Sequence, residues 1–322
     1  MTRVINSLLD LEKISNRLLY KSEANNVTHL LFGDEFDQSL DIGSIPDFIT
    51  CIEFGKYFNQ KLAPRVIPKS VTHLKFGQFF NRVLRPGDIP NSVTHLTIGA
   101  FFNTDLIPRV IPDSVTHLTF GFAFNQPLGI GVIPNFVTHL TFGCNFNQSL
   151  RVGVIPDSVT HLDLGIYFNR PLLPGYIPNS VTHLDLGIHF NQPLLPGYIP
   201  NSVTHLHISH LYDMQLIPGA IPASVKILNL GSYKYTIEPG IIPDSVEYLK
   251  IEAKKNSLGF CFLDEQSLEN IPESTFVIST REWIGQGWAN FYVKKWNRYT
   301  VYIFTTTIFI NRYLHPRSIQ VY

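Results

Sequence analysis

Apolar and polar positions come in short bursts that return with a fixed step. The tetrapeptide Val-Thr-His-Leu begins at Val27, Val71, Val93, Val115, Val137, Val159, Val181 and Val203, with Ile49, Val225 and Val246 opening degenerate copies. The step is 22 residues until the last, which is 21. A strict period over most of a chain is the mark of a solenoid, in which each unit buries its apolar face only against its neighbours.

The unit opened by Val115 reads VTHLTFGFAFNQPLGIGVIPNF, and its positions are numbered here as places 1 to 22. Places 1, 4, 6, 10, 14 and 19 are apolar. Leu118 and Phe120 alternate with polar neighbours, the period of a half-buried strand, so both are expected to point inward. Glycine follows at place 7, where a chain leaving a strand often needs positive φ. The return limb is rich in Pro and Gly and leaves no run long enough for a stable helix, so it is expected to be extended or irregular. The phenylalanine column at place 10, Phe36 through Phe190, reads as a core spine. The asparagines at place 11, Asn59 through Asn191, are expected to hydrogen-bond loop backbone of their own or the next unit.

Phe-Asn followed by Ile-Pro, and then by Ser-Val-Thr-His-Leu, resembles the FNIP repeat, which is seen in amoebal and giant-virus proteins. The resemblance runs from residue 27 to about residue 252. FNIP repeats are similar to leucine-rich repeats, whose Leu-x-x-Leu-x-Leu pattern is matched by Val115, Leu118 and Phe120. The chain departs from the leucine-rich pattern by placing its asparagine two residues later, behind a phenylalanine. The resemblance implies a mainly β, leucine-rich-repeat-like right-handed solenoid, with a parallel concave sheet and short or no convex helices. Some FNIP proteins resemble F-box substrate adaptors for ubiquitination, but residues 1–24 are too few for a full F-box.

Solenoid ends need covering, and both ends here break the pattern. In residues 1–24, Val4, Leu8, Leu11, Ile14 and Leu18 stand at near-helical spacing, with Ser7 and Asp10 in capping-box relation, so an N-terminal capping helix is expected. Residues 25–252 form the repeats. Residues 253–322 are expected to form a β-rich C-terminal cap, with one last repeat strand near Phe276 to Ile278 and a turn at Trp296-Asn297-Arg298.

Composition narrows the function classes. Lys plus Arg and Asp plus Glu both number 25, so no long-range field favours nucleic acid or an anionic membrane. Cys51, Cys144 and Cys261 suggest neither a disulfide framework nor a cysteine zinc site. The charged opening stretch does not read as a secretory signal, and the apolar run from Tyr299 to Ile310 is well short of the ~20 residues of a membrane-spanning helix. An intracellular, cytoplasmic setting is expected, in a host cytoplasm if the protein is viral.

Places 3 and 5 flank the inward leucine and are expected on the exposed concave face. Place 3 is histidine eight times, from His29 to His205, while place 5 varies: Leu31, Glu53, Lys75, Thr97, Thr119, Thr141, Asp163, Asp185, His207, Asn229 and Lys250. A uniform imidazole row reads first as a stacked neutral ladder, whose crowding predicts coupled titration and loss of stability below roughly pH 6. Variation beside it suits recognition of a protein partner, with His161, Asp163, His183, Asp185, His205 and His207 as the candidate contacts. Among these, His183, Asp185, His205 and His207 are also a candidate metal set, since imidazole and carboxylate together hold zinc. No nucleophile elbow, phosphate loop or acid–base carboxylate pair is evident, and no cofactor is implied. The chain reads as a binding scaffold rather than an enzyme, with ubiquitination adaptor and metal-binding protein as the alternatives.

Overall fold

The computed structural model describes residues 2–15, 27–251, 254–255, 261–262, 265–284, 287–296 and 299–306. The protein is a mainly β, leucine-rich-repeat-like solenoid in which each repeat gives one short strand of parallel sheet. It divides into two compact units, Met1–Phe168 and Asn169–Tyr322.

In the first unit, β1 (Thr2–Ile5), β2 (His29–Phe32), β3 (Cys51–Glu53), β4 (His73–Lys75), β5 (His95–Thr97), β6 (His117–Thr119), β7 (His139–Thr141) and β8 (His161–Asp163) pair in chain order, all parallel. Equivalent residues face each other without offset, as in His95↔His117 and Leu96↔Leu118. Every place in the repeat therefore becomes a column, and a residue suited to one turn suits the next.

The columns divide the work. Val93, Leu96, Ile98 and Phe102 are at most 2% exposed, as the alternating pattern requires. Phenyl rings of place 10 stack at 6.2–6.3 Å from Phe36 to Phe168, whereas the place-3 imidazoles stack at 4.2 Å from His73 to His161. Equivalent atoms of one repeated conformation differ in spacing only through their distance from the axis of curvature. The first unit therefore fans open toward the phenylalanines, and its sheet is the concave side.

Buried turns need partners for their backbone groups, and side-chain columns supply them. Place-22 serines reach the carbonyl of the first residue of their own unit, as Ser92 Oγ donates to the Val71 carbonyl at 2.7 Å. The place-11 asparagines form a ladder in which the Asn103 backbone N–H donates to Asn81 Oδ1 at 3.0 Å and Asn125 N–H to Asn103 Oδ1 at 2.8 Å. Moving the asparagine behind a phenylalanine thus preserves the ladder.

Place-7 glycines of the earlier repeats serve a different purpose from the one their position at a strand end suggests. Gly55, Gly77, Gly99, Gly121 and Gly143 have no positive φ. A Cβ there would stand 1.7–2.3 Å from the carbonyl oxygen of the preceding turn's glycine, so close stacking of turns excludes any side chain. Positive φ occurs at place 17, for example Gly87 at +93° and Gly131 at +79°, where two repeats carry Arg65 at +73° and Arg109 at +71°, and at place 7 in later repeats, as at Gly165 and Gly187.

The N-terminus differs from a simple helix. Thr2–Ile5 is a strand, with Val4 on its exposed face and Ile5 fully buried, because pairing with β2 satisfies backbone groups that the first repeat would leave open. The helix α1 (Leu8–Ser15) follows, opened by Ser7 Oγ accepting the Asp10 N–H at 3.4 Å and Asp10 Oδ2 accepting the Ser7 N–H at 3.1 Å. Leu18 lies outside the described residues.

The second unit holds β9 (His183–Asp185), β10 (His205–His207), β11 (Ile227–Asn229) and β12 (Tyr248–Ile251), parallel and in register. A small ribbon, β13 (Lys254–Lys255) with β14 (Cys261–Phe262), and the short helix α2 (Glu265–Glu269) interrupt the period. β15 (Phe276–Ile284) then rejoins β12 in parallel, and Thr275 Oγ1 takes the serine role by donating to the Val246 carbonyl at 2.7 Å. Antiparallel β16 (Gly287–Trp296) and β17 (Tyr299–Thr306) extend from β15. The turn expected at Asn297 and Arg298 lies outside the described residues.

Candidate functional site

Each strand His-Leu-X buries its leucine and leaves both flanking side chains at the surface: His95 and Thr97 are half-buried around a 1% exposed Leu96. The first-unit histidines His73, His95, His117, His139 and His161 stack at 4.2 Å with ring planes 11–12° apart. Each is anchored through Nδ1 to the hydroxyl of the threonine before it, at 3.0 Å for Thr94–His95 and 2.9 Å for Thr138–His139. Partial burial and then the neighbouring imidazoles push His95 and His117 below the ordinary value of 6.5.

The six candidate contacts fall in both units. On β8, His161 continues the imidazole column, and Asp163 Oδ1 accepts the backbone N–H of Gly165 at 2.8 Å. On β9 and β10, His183 stacks on His205 at 3.9 Å, and Asp185 Oδ2 lies 2.8 Å from His207 Nδ1. Asp185 Oδ1 meanwhile holds the Gly187 N–H at 2.8 Å. Wherever place 5 is Asp163, Asp185 or Asn229, its oxygen caps the place-7 glycine, and Gly165, Gly187 and Gly231 have φ of +83°, +86° and +53°. These residues therefore shape the strand exit as well as facing outward.

His207 is oriented by Asp185, but its Nε2 is buried without a hydrogen-bond partner, and its ring stands edge-on to His210 at 5.4 Å. No substrate reaches that nitrogen. Among the described residues, no group of three or more His, Cys, Asp or Glu side chains is gathered to hold a metal ion. The candidate set His183, Asp185, His205 and His207 is instead divided into a stacked imidazole pair and a carboxylate–imidazole pair.

A second surface feature was not legible when place 10 alone was taken as the aromatic column. At place 9, Tyr57, Phe79 and Phe101 are 38–41% exposed and stack at 5.3 and 5.0 Å, with Lys56 Nζ 4.9 Å from the Tyr57 ring centroid. The doubled aromatics Tyr-Phe-Asn and Phe-Phe-Asn carried the signal. Beside them a groove of about 550 Å³ runs along the strand ends of the first unit, lined by Glu53, Lys75, Thr97 and Phe122 among others. Glu53 and Lys75 are ion-paired across it, although both are too exposed for the pair to stabilise much.

The FNIP Repeat family matches residues 24–57, 36–79, 80–123, 124–167, 168–210 and 212–254. The chain belongs to the FNIP repeat family. No curated protein matches its sequence. Among solved structures, the FNIP chain resembles the giant-virus protein CroV588, a circular leucine-rich-repeat protein, with a TM-score of 0.71 and 36% identity over 80% of this chain. It spans 37% of the length of that chain. The matched FNIP repeats carry no catalytic domain, and among the described residues no helix is long and apolar enough to cross a membrane.

Proposed function

We propose that this chain is a non-enzymatic protein-binding scaffold that reads its partner with the sheet face. The contacts are His161 and Asp163 in the first unit and His183, Asp185, His205 and His207 in the second. The observation that carries the reading is the division of labour within each strand. Leucine is locked in the core, and the two flanking side chains are displayed at fixed spacing. A partner meeting such a surface pays little for ordering it. The exposed aromatics Tyr57, Phe79 and Phe101 are residue types that anchor interfaces, and they add an apolar border to the polar face.

The test is affinity capture from host-cell lysate with three proteins whose folding is checked by circular dichroism. These are the wild type, a face variant (His161→Ala, Asp163→Asn, His183→Ala, His205→Ala) and a return-limb variant (Ile130→Ser, Val152→Ser). Loss of a partner by the face variant alone supports the reading. Retention by all three, or no capture by the wild type, overturns it.

A further inference from the structure

Two neighbouring repeats of the first unit break the chain's charge balance. Residues 49–92 hold seven Lys and Arg against two acidic residues, in a chain whose totals are 25 and 25. Neither acid offsets the excess on the return limb. Glu53 is ion-paired with Lys75 between strands β3 and β4, and Asp88 is 3% exposed and accepts the Arg85 backbone N–H at 2.8 Å. Arg65 and Lys69 stand at places 17 and 21 of one repeat, and both line a groove of about 940 Å³ that crosses three successive turns. The lining is otherwise largely apolar, with Ile42 67% exposed in it, and Asp47 is its one carboxylate. Lys61 and Arg85 lie beside the groove, near Asp88. Among the described residues, Arg65 and Lys69 make no ion pair.

Both cations are exceptions to the repeat. Duplication spreads one residue through every copy, and place 21 is accordingly Asp or Asn in most other repeats, as in Asp47, Asn91 and Asp113. Place 17 is glycine in most of them, and Arg65 holds the left-handed conformation at φ +73° against the preference of a side chain. A residue held in such a conformation marks a place where function is to be looked for.

We propose that this groove docks an extended acidic segment of a protein partner, with its carboxylates on Arg65, Lys69, Lys61 and Arg85 and its intervening apolar side chains against Ile42 and the groove wall. Unpaired cations of one sign around an apolar cleft are complementary to such a segment. The step fits as well. Successive turns stand 6.3 Å apart at the phenylalanine column, close to the two-residue rise of an extended chain, about 6.6–6.8 Å. Single-stranded nucleic acid would want aromatic side chains for its bases to stack on, and none lines the groove. The concave form suits a single chain rather than a bilayer surface. The groove lies on the return limb, apart from places 3 and 5, so it stands or falls independently of the sheet face.

The test follows a fluorescein-labelled peptide of alternating Glu and Val binding to the full chain by anisotropy, beside the matching Gln–Val peptide, oligothymidylate and phosphatidylserine vesicles. The Glu–Val peptide should bind wild type, more weakly as salt rises, and should bind Arg65→Gly/Lys69→Asn about tenfold more weakly. That variant carries only residues that other repeats already hold at these places, and its urea midpoint reports its folding. Arg151→Gln, which removes a return-limb cation outside the groove, should bind as wild type does. In ¹H–¹⁵N spectra of wild type the peptide should shift amides within residues 42–47, 65–70 and 87–92, a readout that needs no variant. No binding of the Glu–Val peptide, equal binding of the Gln–Val peptide, preference for oligothymidylate or vesicles, shifts confined to the sheet strands, or undiminished binding by the folded double variant overturns the proposal.

Discussion

Asp163 Oδ1 accepts the backbone N–H of Gly165 at 2.8 Å, and Gly165 sits at φ +83°. In the preceding repeat Thr141 occupies the same place, and Gly143 has no positive φ. The carboxylate therefore selects one of two local geometries that the glycine permits. Asp163→Ala should cost about 1–2 kcal/mol, the worth of a hydrogen bond to a charged acceptor, while Asp163→Asn should cost far less because the amide oxygen accepts equally well. Urea denaturation of both variants checks this. Equal losses would mean that charge rather than the cap matters.

Arg65 and Arg109 occupy a left-handed conformation that glycine supplies in most other repeats. A side chain there costs roughly 1–2 kcal/mol, partly offset by the greater freedom of glycine in the unfolded chain. Arg65→Gly and Arg109→Gly should each stabilise the protein by up to about 1 kcal/mol. Gly87→Ala should destabilise it by a similar amount. An unchanged or lowered denaturation midpoint for both arginine variants would show that the arginine side chains make compensating contacts.

These two cases show how far the sequence could be read. The period, the strand at Val-x-His-Leu-x-Phe and the aromatic spine were legible, because each is a column repeated many times and burial of Leu96 or Phe102 leaves a plain trace in the pattern. The positive φ expected of the place-7 glycine holds at Gly165, Gly187 and Gly231 but not at Gly55, Gly77, Gly99, Gly121 and Gly143. Whether a glycine is required by φ or by the carbonyl of the turn beneath it is a three-dimensional question, and Gly121 and Gly131 look alike in the sequence. The N-terminal strand was hidden because Val4 also fits a helical spacing with Leu8 and Leu11, and only the open edge of β2 decides between them. Of the candidate contacts, the pairing of His183 with His205 follows from register, but the engagement of both Asp185 oxygens does not.

The phenylalanine spine makes the repeats interdependent. Phe124 is fully buried, 6.3 Å from Phe102, 6.2 Å from Phe146 and 4.3 Å from Phe120. Phe124→Ala should cost about 3–5 kcal/mol, since both neighbouring turns lose a packing face and the stack cannot close the gap without breaking register. Hydrogen exchange should show lost protection on β5 and β7 as well as β6. Loss confined to β6 would mean that the turns relax independently.

The imidazole column gives the protein a pH dependence whose sign follows from the crowding. Burial, and then His73, His139 and their neighbours, lower the folded-state value of His95 and His117 below the ordinary 6.5. As pH falls through 6.5 the unfolded chain takes up protons first, so the stability these two histidines contribute is complete above that value and is lost as pH falls toward the folded-state value. Below the folded-state value both states are protonated and the loss levels off. His95 and His117 are neighbours and titrate as a coupled pair, so the decline should be broader than that of one site. Urea midpoints measured without metal between pH 8 and pH 5 should fall, and His95→Gln/His117→Gln should flatten the curve. A wild-type profile as flat as the variant's would remove the histidine column as the cause.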